Sequence, residues 1–185
     1  STNIYRGLHF LAMPEYDHLM YVDQTPTIRD AFVDLYSTST PFSPEWRSML
    51  IGGLGKGGKG YYALDVTCPV VDSSLIIPPG GSTAINNTCS DESFDEKNIL
   101  WEFSDAKDVD MGYSFSRPII AKVKYSTGLA ANNDRLADNG ARWAMITGNG
   151  YNSTNGRAAL YIIFLDGGLD GVWTAGTDYI KIYAN

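Results

Sequence analysis

The chain has 185 residues, a net charge of −7 and 44% apolar side chains, enough for a packed core but with no apolar run long enough to cross a membrane as a helix. A pI near 4.7 argues against nucleic acid as a partner, because binding it takes cations to neutralise phosphates. Four Trp, twelve Tyr and nineteen Gly suit an all-β protein rich in turns. The chain opens at Ser1 without Met or a signal segment, as a processed or excised piece would.

Residues 1–20 hold both histidines, His9 and His18, and read as the end of a preceding blade or a linker. Strands are then predicted at Thr25–Val33, Arg47–Ile51, Tyr61–Val66, Ile99–Ser104, Ser116–Lys124, Arg142–Thr147, Ala159–Leu165 and Tyr179–Tyr183, runs of β-branched and aromatic residues between turn signals. No segment sustains the three-to-four-residue apolar spacing of a helix.

Between the second and third strands stand Gly52, Gly53, Gly55, Gly57, Gly58 and Gly60, six glycines in nine residues. This run is one residue short of the phosphate loop G-x-x-x-x-G-K-[ST], with Gly60 where the magnesium-binding hydroxyl belongs. The next residues, Tyr61–Val66, have a strand pattern and not that of the helix whose N-terminal amides a phosphate site needs. The glycines are therefore expected to be structural, shaping a hairpin with backbone conformations closed to residues that carry a Cβ. Lys56 and Lys59 read as solvated charges on that turn.

Cys68 and Cys89 flank a segment rich in Pro, Ser, Asn and Gly. A disulfide between them would pin this insertion (68–97), stabilise by roughly 3 kcal/mol, and imply an oxidising compartment. Catalytic arrangements are weak. His18 adjoins Asp17, but no nucleophile, base and orienting group assemble at plausible spacing. Ser153 lies in a turn without a strand–elbow–helix context. Asn149, Asn152 and Asn155 are expected to shape that turn, since Asn tolerates left-handed backbone.

The eight strands fall into two sets of four. RSMLIGGLG (Arg47–Gly55) lies over RWAMITGNG (Arg142–Gly150) without a gap. Each is preceded by a strand with an early proline (Pro26, Pro118) and followed by an aromatic strand ending in Leu-Asp (YYALD, YIIFLD). Four short antiparallel strands, repeated, are the signature of propeller blades; an eight-stranded sandwich is the alternative. The expected fold is all-β, two four-stranded antiparallel blades, 21–105 and 106–185. Two blades cannot close a ring, so the chain reads as a fragment of a larger propeller. Trp46, Tyr61, Tyr62, Trp101, Phe103, Trp143, Tyr161 and Phe164 are its predicted packing residues.

From about Tyr21 to Asp166 the sequence resembles the β-propeller domain of the type IV pilus tip-associated adhesins (PilC/PilY-like). The resemblance rests on YVDQTPTIRDAFV, WRSMLIGGLGKGGKGYYALDVT, ILWEFSDAKDVDMGYSFSRPIIAKV and RWAMITGNGYNSTNGRAALYIIFLD, in that order. It implies a non-catalytic protein at the pilus tip or outer cell surface, acting in pilus assembly, retraction control and surface attachment. Its implied partners are pilus subunits (minor pilins), a host or abiotic surface, and the remaining blades of the same protein. Some members of that family carry a calcium loop of the D-x-D-x-D-G type. None stands here, and the nearest acidic groups are Asp105, Asp108 and Asp110 in SDAKDVDMG and Asp166 and Asp170 in DGGLDG. They lack the ligand alternation and closing Glu of an EF-hand-like loop and suit turns equally well. No cofactor is expected, with calcium left open. ILWEFS is also similar to a blade of quinoprotein alcohol dehydrogenases, but Cys68 and Cys89 do not form the vicinal pair those enzymes place beside their pyrroloquinoline quinone. A structural propeller of the outer-membrane assembly type is a further alternative.

Overall fold

The computed structural model describes residues 8–35, 44–67, 96–124 and 141–184. All eight predicted strands form: β1 (Thr27–Val33), β2 (Glu45–Gly53), β3 (Gly60–Asp65), β4 (Ile99–Ser104), β5 (Ile119–Lys124), β6 (Ala141–Gly148), β7 (Ala159–Phe164) and β8 (Tyr179–Tyr183). Helix among the described residues is confined to short 3-10 turns at Leu8–Ala12, Gly55–Gly57 and Glu96–Asn98. Strands β1 and β5 each begin directly after a proline, Pro26 and Pro118. Proline lacks the N–H that a ladder needs and is tolerated only at such a margin.

The strands make two four-stranded sheets, ordered β1-β2-β3-β4 and β5-β6-β7-β8. Every neighbouring pair is antiparallel, so each sheet is a meander without crossover. The two sheets stack face to face, and the core lies between them. The first sheet contributes Ala31, Val33, Met49, Ile51, Tyr61, Ala63, Trp101 and Phe103; the second contributes Ile120, Met145, Tyr161, Ile163 and Tyr179.

The outward faces decide between a sandwich and a partial propeller. In a sandwich, residues that alternate with the core positions are polar. Here the outward face of the second sheet carries Ile119, Ala121, Val123, Ile146, Leu160, Ile162, Ile180 and Ile182. The outward face of the first carries Ile28, Phe32, Trp46, Leu50, Tyr62 and Leu64 around a hydrogen-bonded Asp30–Ser48 pair, with Glu102 opposite Tyr62. These faces are also the ones the repeat predicts. Met49 packs on the second sheet, whereas its repeat equivalent Ala144 lies on the second sheet's far face. The two blades therefore stack in the same sense, front of one on back of the next. That is a heterologous contact, which can be extended by further copies. The architecture is two blades of an unclosed propeller.

Trp46 departs from the predicted packing set. It lies on the first sheet's outward face and is 63% exposed, touching Phe32 and the edge of Trp143. Tyr61, Trp101, Phe103, Tyr161 and Phe164 are buried, and Tyr62 and Trp143 are half-buried.

Candidate functional site at the junction of the blades

Chemistry-bearing side chains gather where the connector 105–118 crosses from β4 to β5. At its inner end, Tyr61 donates from its hydroxyl to Ser116 O at 2.7 Å and meets Thr147 Oγ1 at 2.8 Å. Burial pushes the Tyr61 hydroxyl up, against the pull of Thr147. Gln24 donates through Nε2 to Ser114 O (2.7 Å) and Ser116 O (2.9 Å). Arg29 reaches across to Ile120 O at 2.7 Å.

The glycine turn closes over this end. Ser114 Oγ accepts from the amides of Leu54 (2.8 Å) and Gly55 (3.2 Å). Only Gly55 in the turn has positive φ, +59°. The other five glycines are needed for room. A Cβ on Gly57 would overlap the Tyr21 carbonyl, and one on Gly53 would overlap the Gln24 amide and lie 2.9 Å from Ser114 O. The expected hairpin is thus a strand–3-10 turn–strand whose glycines admit a neighbouring segment, more than they supply unusual torsions.

The outer rim is held by two indoles. Trp101 Nε1 donates to Leu165 O and Trp173 Nε1 to Glu102 O, both at 3.1 Å. Each bond links one blade to the other. Trp173, which no sequence pattern singles out, stands edge-on to Trp101 and Phe103 with ring centroids at 5.5 and 4.9 Å. It is aimed there by the 165–178 loop, where Gly168 (φ +62°) lies against the indole.

The acidic candidates separate. Asp105 is exposed. Asp170 is exposed and accepts from Val172 N at 2.9 Å, a local turn. Asp166 is buried and paired at 2.6 Å with Arg142 Nη2, whose guanidinium lies 3.8 Å from the centre of the Phe164 ring. In the first blade the equivalent Arg47 stands 3.6 Å from Asp65. The partner has moved along the ladder: Asp65 lies opposite Met49, while Asp166 lies beyond Phe164, which faces Ala144.

Asp108 and Asp110 do come together, around Lys181 of β8. Lys181 Nζ lies 2.8 Å from Asp108 Oδ1 and 2.7 Å from Asp110 Oδ2. Tyr179 donates to Asp108 (2.9 Å), and Tyr183 (2.6 Å) and Asn155 (2.8 Å) donate to Asp110. The Lys181 hydrogen bond, then Tyr183, hold the Asp110 carboxyl down to about 2. Burial and the Asp108 carboxylate push Tyr179 up to about 12. Burial would lower the Lys181 ammonium, but the two carboxylates outweigh it and raise it. As it stands this set does not fit a divalent cation, because an ammonium already occupies the point where both carboxylates converge. Among the described residues no group of three or more His, Cys, Asp and Glu is arranged around a common metal position.

Asn149 is buried and ties the 148–159 turn, donating to Asp110 O and Arg157 O and accepting from Ala159 N. Asn152 has φ +63°, as its place in the turn required. His18 and Ser153 lie apart, one exposed beside Tyr16 and one half-buried in the turn. Cys68 and Cys89 lie outside the described residues.

The comparisons with known proteins agree with this architecture. The sequence profile of the PilY1 beta-propeller domain matches residues 1–174. A type IV pilus biogenesis factor PilY1 homolog from Xylella fastidiosa is 39% identical over 164 residues, covering 89% of this chain and 8% of the relative. The type IV pilus biogenesis factor PilY1 of Pseudomonas aeruginosa strain UCBPP-PA14 is 34% identical over 151 residues, 82% of this chain and 9% of that protein. The crystal structure of the Pseudomonas aeruginosa PilY1 C-terminal domain superposes with a TM-score of 0.52 at 32% identity, over 89% of this chain and 22% of that one. The chain thus spans less than a tenth of these curated relatives, and two stacked four-stranded blades with this sequence place it in the PilY1 β-propeller family.

Proposed function

We propose that the chain forms two blades in the propeller of a type IV pilus tip-associated protein, acting without catalysis in pilus assembly, retraction control and surface adhesion. Family membership carries this reading. The junction supports the structural part of this reading: side chains there fasten one blade to the next. The outward faces fit further blades of the same polypeptide, since apolar residues dominate each of them, as they do the face already buried at the junction. Minor pilins and a host or abiotic surface are the external partners, at the pilus tip or outer cell surface. Export through an oxidising periplasm would close a Cys68–Cys89 bridge, which a two-hydrogen mass difference on reduction tests.

An immunoblot of sheared, purified pili with antibody to this chain tests the function. A band in the pilus fraction well above 20.3 kDa is the expected result. Signal confined to the soluble periplasm would overturn it.

A further inference from the structure

We infer that Lys181 is a tethered cation: it fills the cation position of a two-carboxylate, oxygen-lined site and makes the fastening of connector to β8 independent of any soluble metal. Asp108 and Asp110 sit two apart, so both carboxylates point inward while Val109 between them faces solvent. Asp110 N donates to Asp108 Oδ1 at 3.0 Å and fixes the spacing. The two side chains are 5% and 1% exposed. Two carboxylates so deeply buried cannot both stay ionised without a positive charge between them.

The ammonium supplies it at 2.7–2.8 Å, not far beyond the 2.3–2.6 Å at which oxygens hold Ca²⁺. The remaining shell holds the Tyr179 and Tyr183 hydroxyl oxygens, with Asn155 turning its amide nitrogen to Asp110. The hydroxyl of Tyr161 is fully buried and faces Asp108 without a hydrogen bond of good geometry. It adds a further hydroxyl oxygen facing Asp108. Lys181 is the most exposed of the three charged groups, with 20% of its side chain open, so shortening it opens a path to the carboxylates. Arg157, stacked 3.8 Å from the centre of the Tyr183 ring, is the one other positive group placed against this shell among the described residues. It sets a limit on cation affinity.

The test is Lys181→Ala, probed with Ca²⁺ by thermal melting and with Tb³⁺ by tyrosine-sensitised luminescence. The wild-type chain should melt at the same temperature in Ca²⁺ and in EDTA. Lys181→Ala should melt lower in EDTA and recover with Ca²⁺ in a saturable way, gaining a Tb³⁺ signal that Asp110→Asn in the same background removes. If Lys181→Ala does not fold without metal, Lys181→Met with Asp108→Asn and Asp110→Asn should fold in EDTA, since it leaves no unpaired buried charge. Three outcomes would overturn the inference: a wild-type Tb³⁺ signal lost on Asp110→Asn, no recovery of Lys181→Ala by Ca²⁺, or failure of the neutral triple variant to fold.

Discussion

At the scale of single residues, space and charge decide more than torsion angles do. Gly57 abuts the backbone carbonyl of Tyr21, which cannot move aside like a side chain. Gly57→Ala should therefore cost about 2 kcal/mol or more, within the range for overpacked sites. Gly58→Ala should cost less, because its obstacle is the flexible end of Leu54. Lys56→Ala, at an exposed position, should change Tm little. Equal losses at all three positions in thermal melts would contradict the steric account. Asp110 adds a pH dependence of defined sign. Its carboxyl titrates near 2 in the fold against 3.8 ordinarily. The stability it contributes is thus present above about pH 4 and lost as pH falls from there through 2. Asp110→Asn should flatten this part of the acid limb in a pH series of denaturant melts, and an unchanged limb would argue against the Lys181 contact.

At the scale of elements, the blades are fastened at two places, the polar inner end and the Trp101–Trp173 rim, while the Lys181 cluster ties the connector to β8 within the second blade. Trp173→Ala removes a cross-blade hydrogen bond and ring contacts to Trp101 and Phe103. The loss should be on the order of 2 kcal/mol, with faster amide exchange in β4 than in β2; uniform exchange would contradict a strap. All eight strands were legible from β-branched and aromatic runs between turns, but β1 and β5 begin at Thr27 and Ile119, after their prolines, and not at Thr25 and Ser116 as expected. Gly55 and Gly150, which the repeat aligns, both have positive φ. Less legible was what depends on side chains distant in sequence. Lys181 is more than seventy positions from the carboxylates it joins, so local spacing could suggest only a metal or a turn. Trp173 sits in a glycine-rich loop whose acidic residues drew attention instead. Trp46 was misplaced because a blade carries apolar residues on both faces, which erases the alternation that tells core from exterior.

At the scale of the whole molecule, the faces that this chain leaves open set its behaviour. Ile28, Ile119 and Ile182 are 50–61% exposed, in apolar surfaces that a lone soluble domain rarely shows. The back of the first blade and the front of the second are the two halves of a contact that this chain already makes once. Isolated copies should therefore associate head to tail, with a weight-average mass that rises with concentration in sedimentation. Strictly monomeric behaviour at all concentrations would contradict the complementarity of the faces. The most direct test places a charge on the second blade's open face, Ile182→Lys, both in this 185-residue chain and in the longer polypeptide to which the family points. The account predicts that the isolated chain keeps its Tm and loses self-association, while the longer protein is destabilised by several degrees as the lysine is forced into a blade interface. An equal, negligible effect in both would mean that no further blade covers this face, and the partial-propeller account would fail.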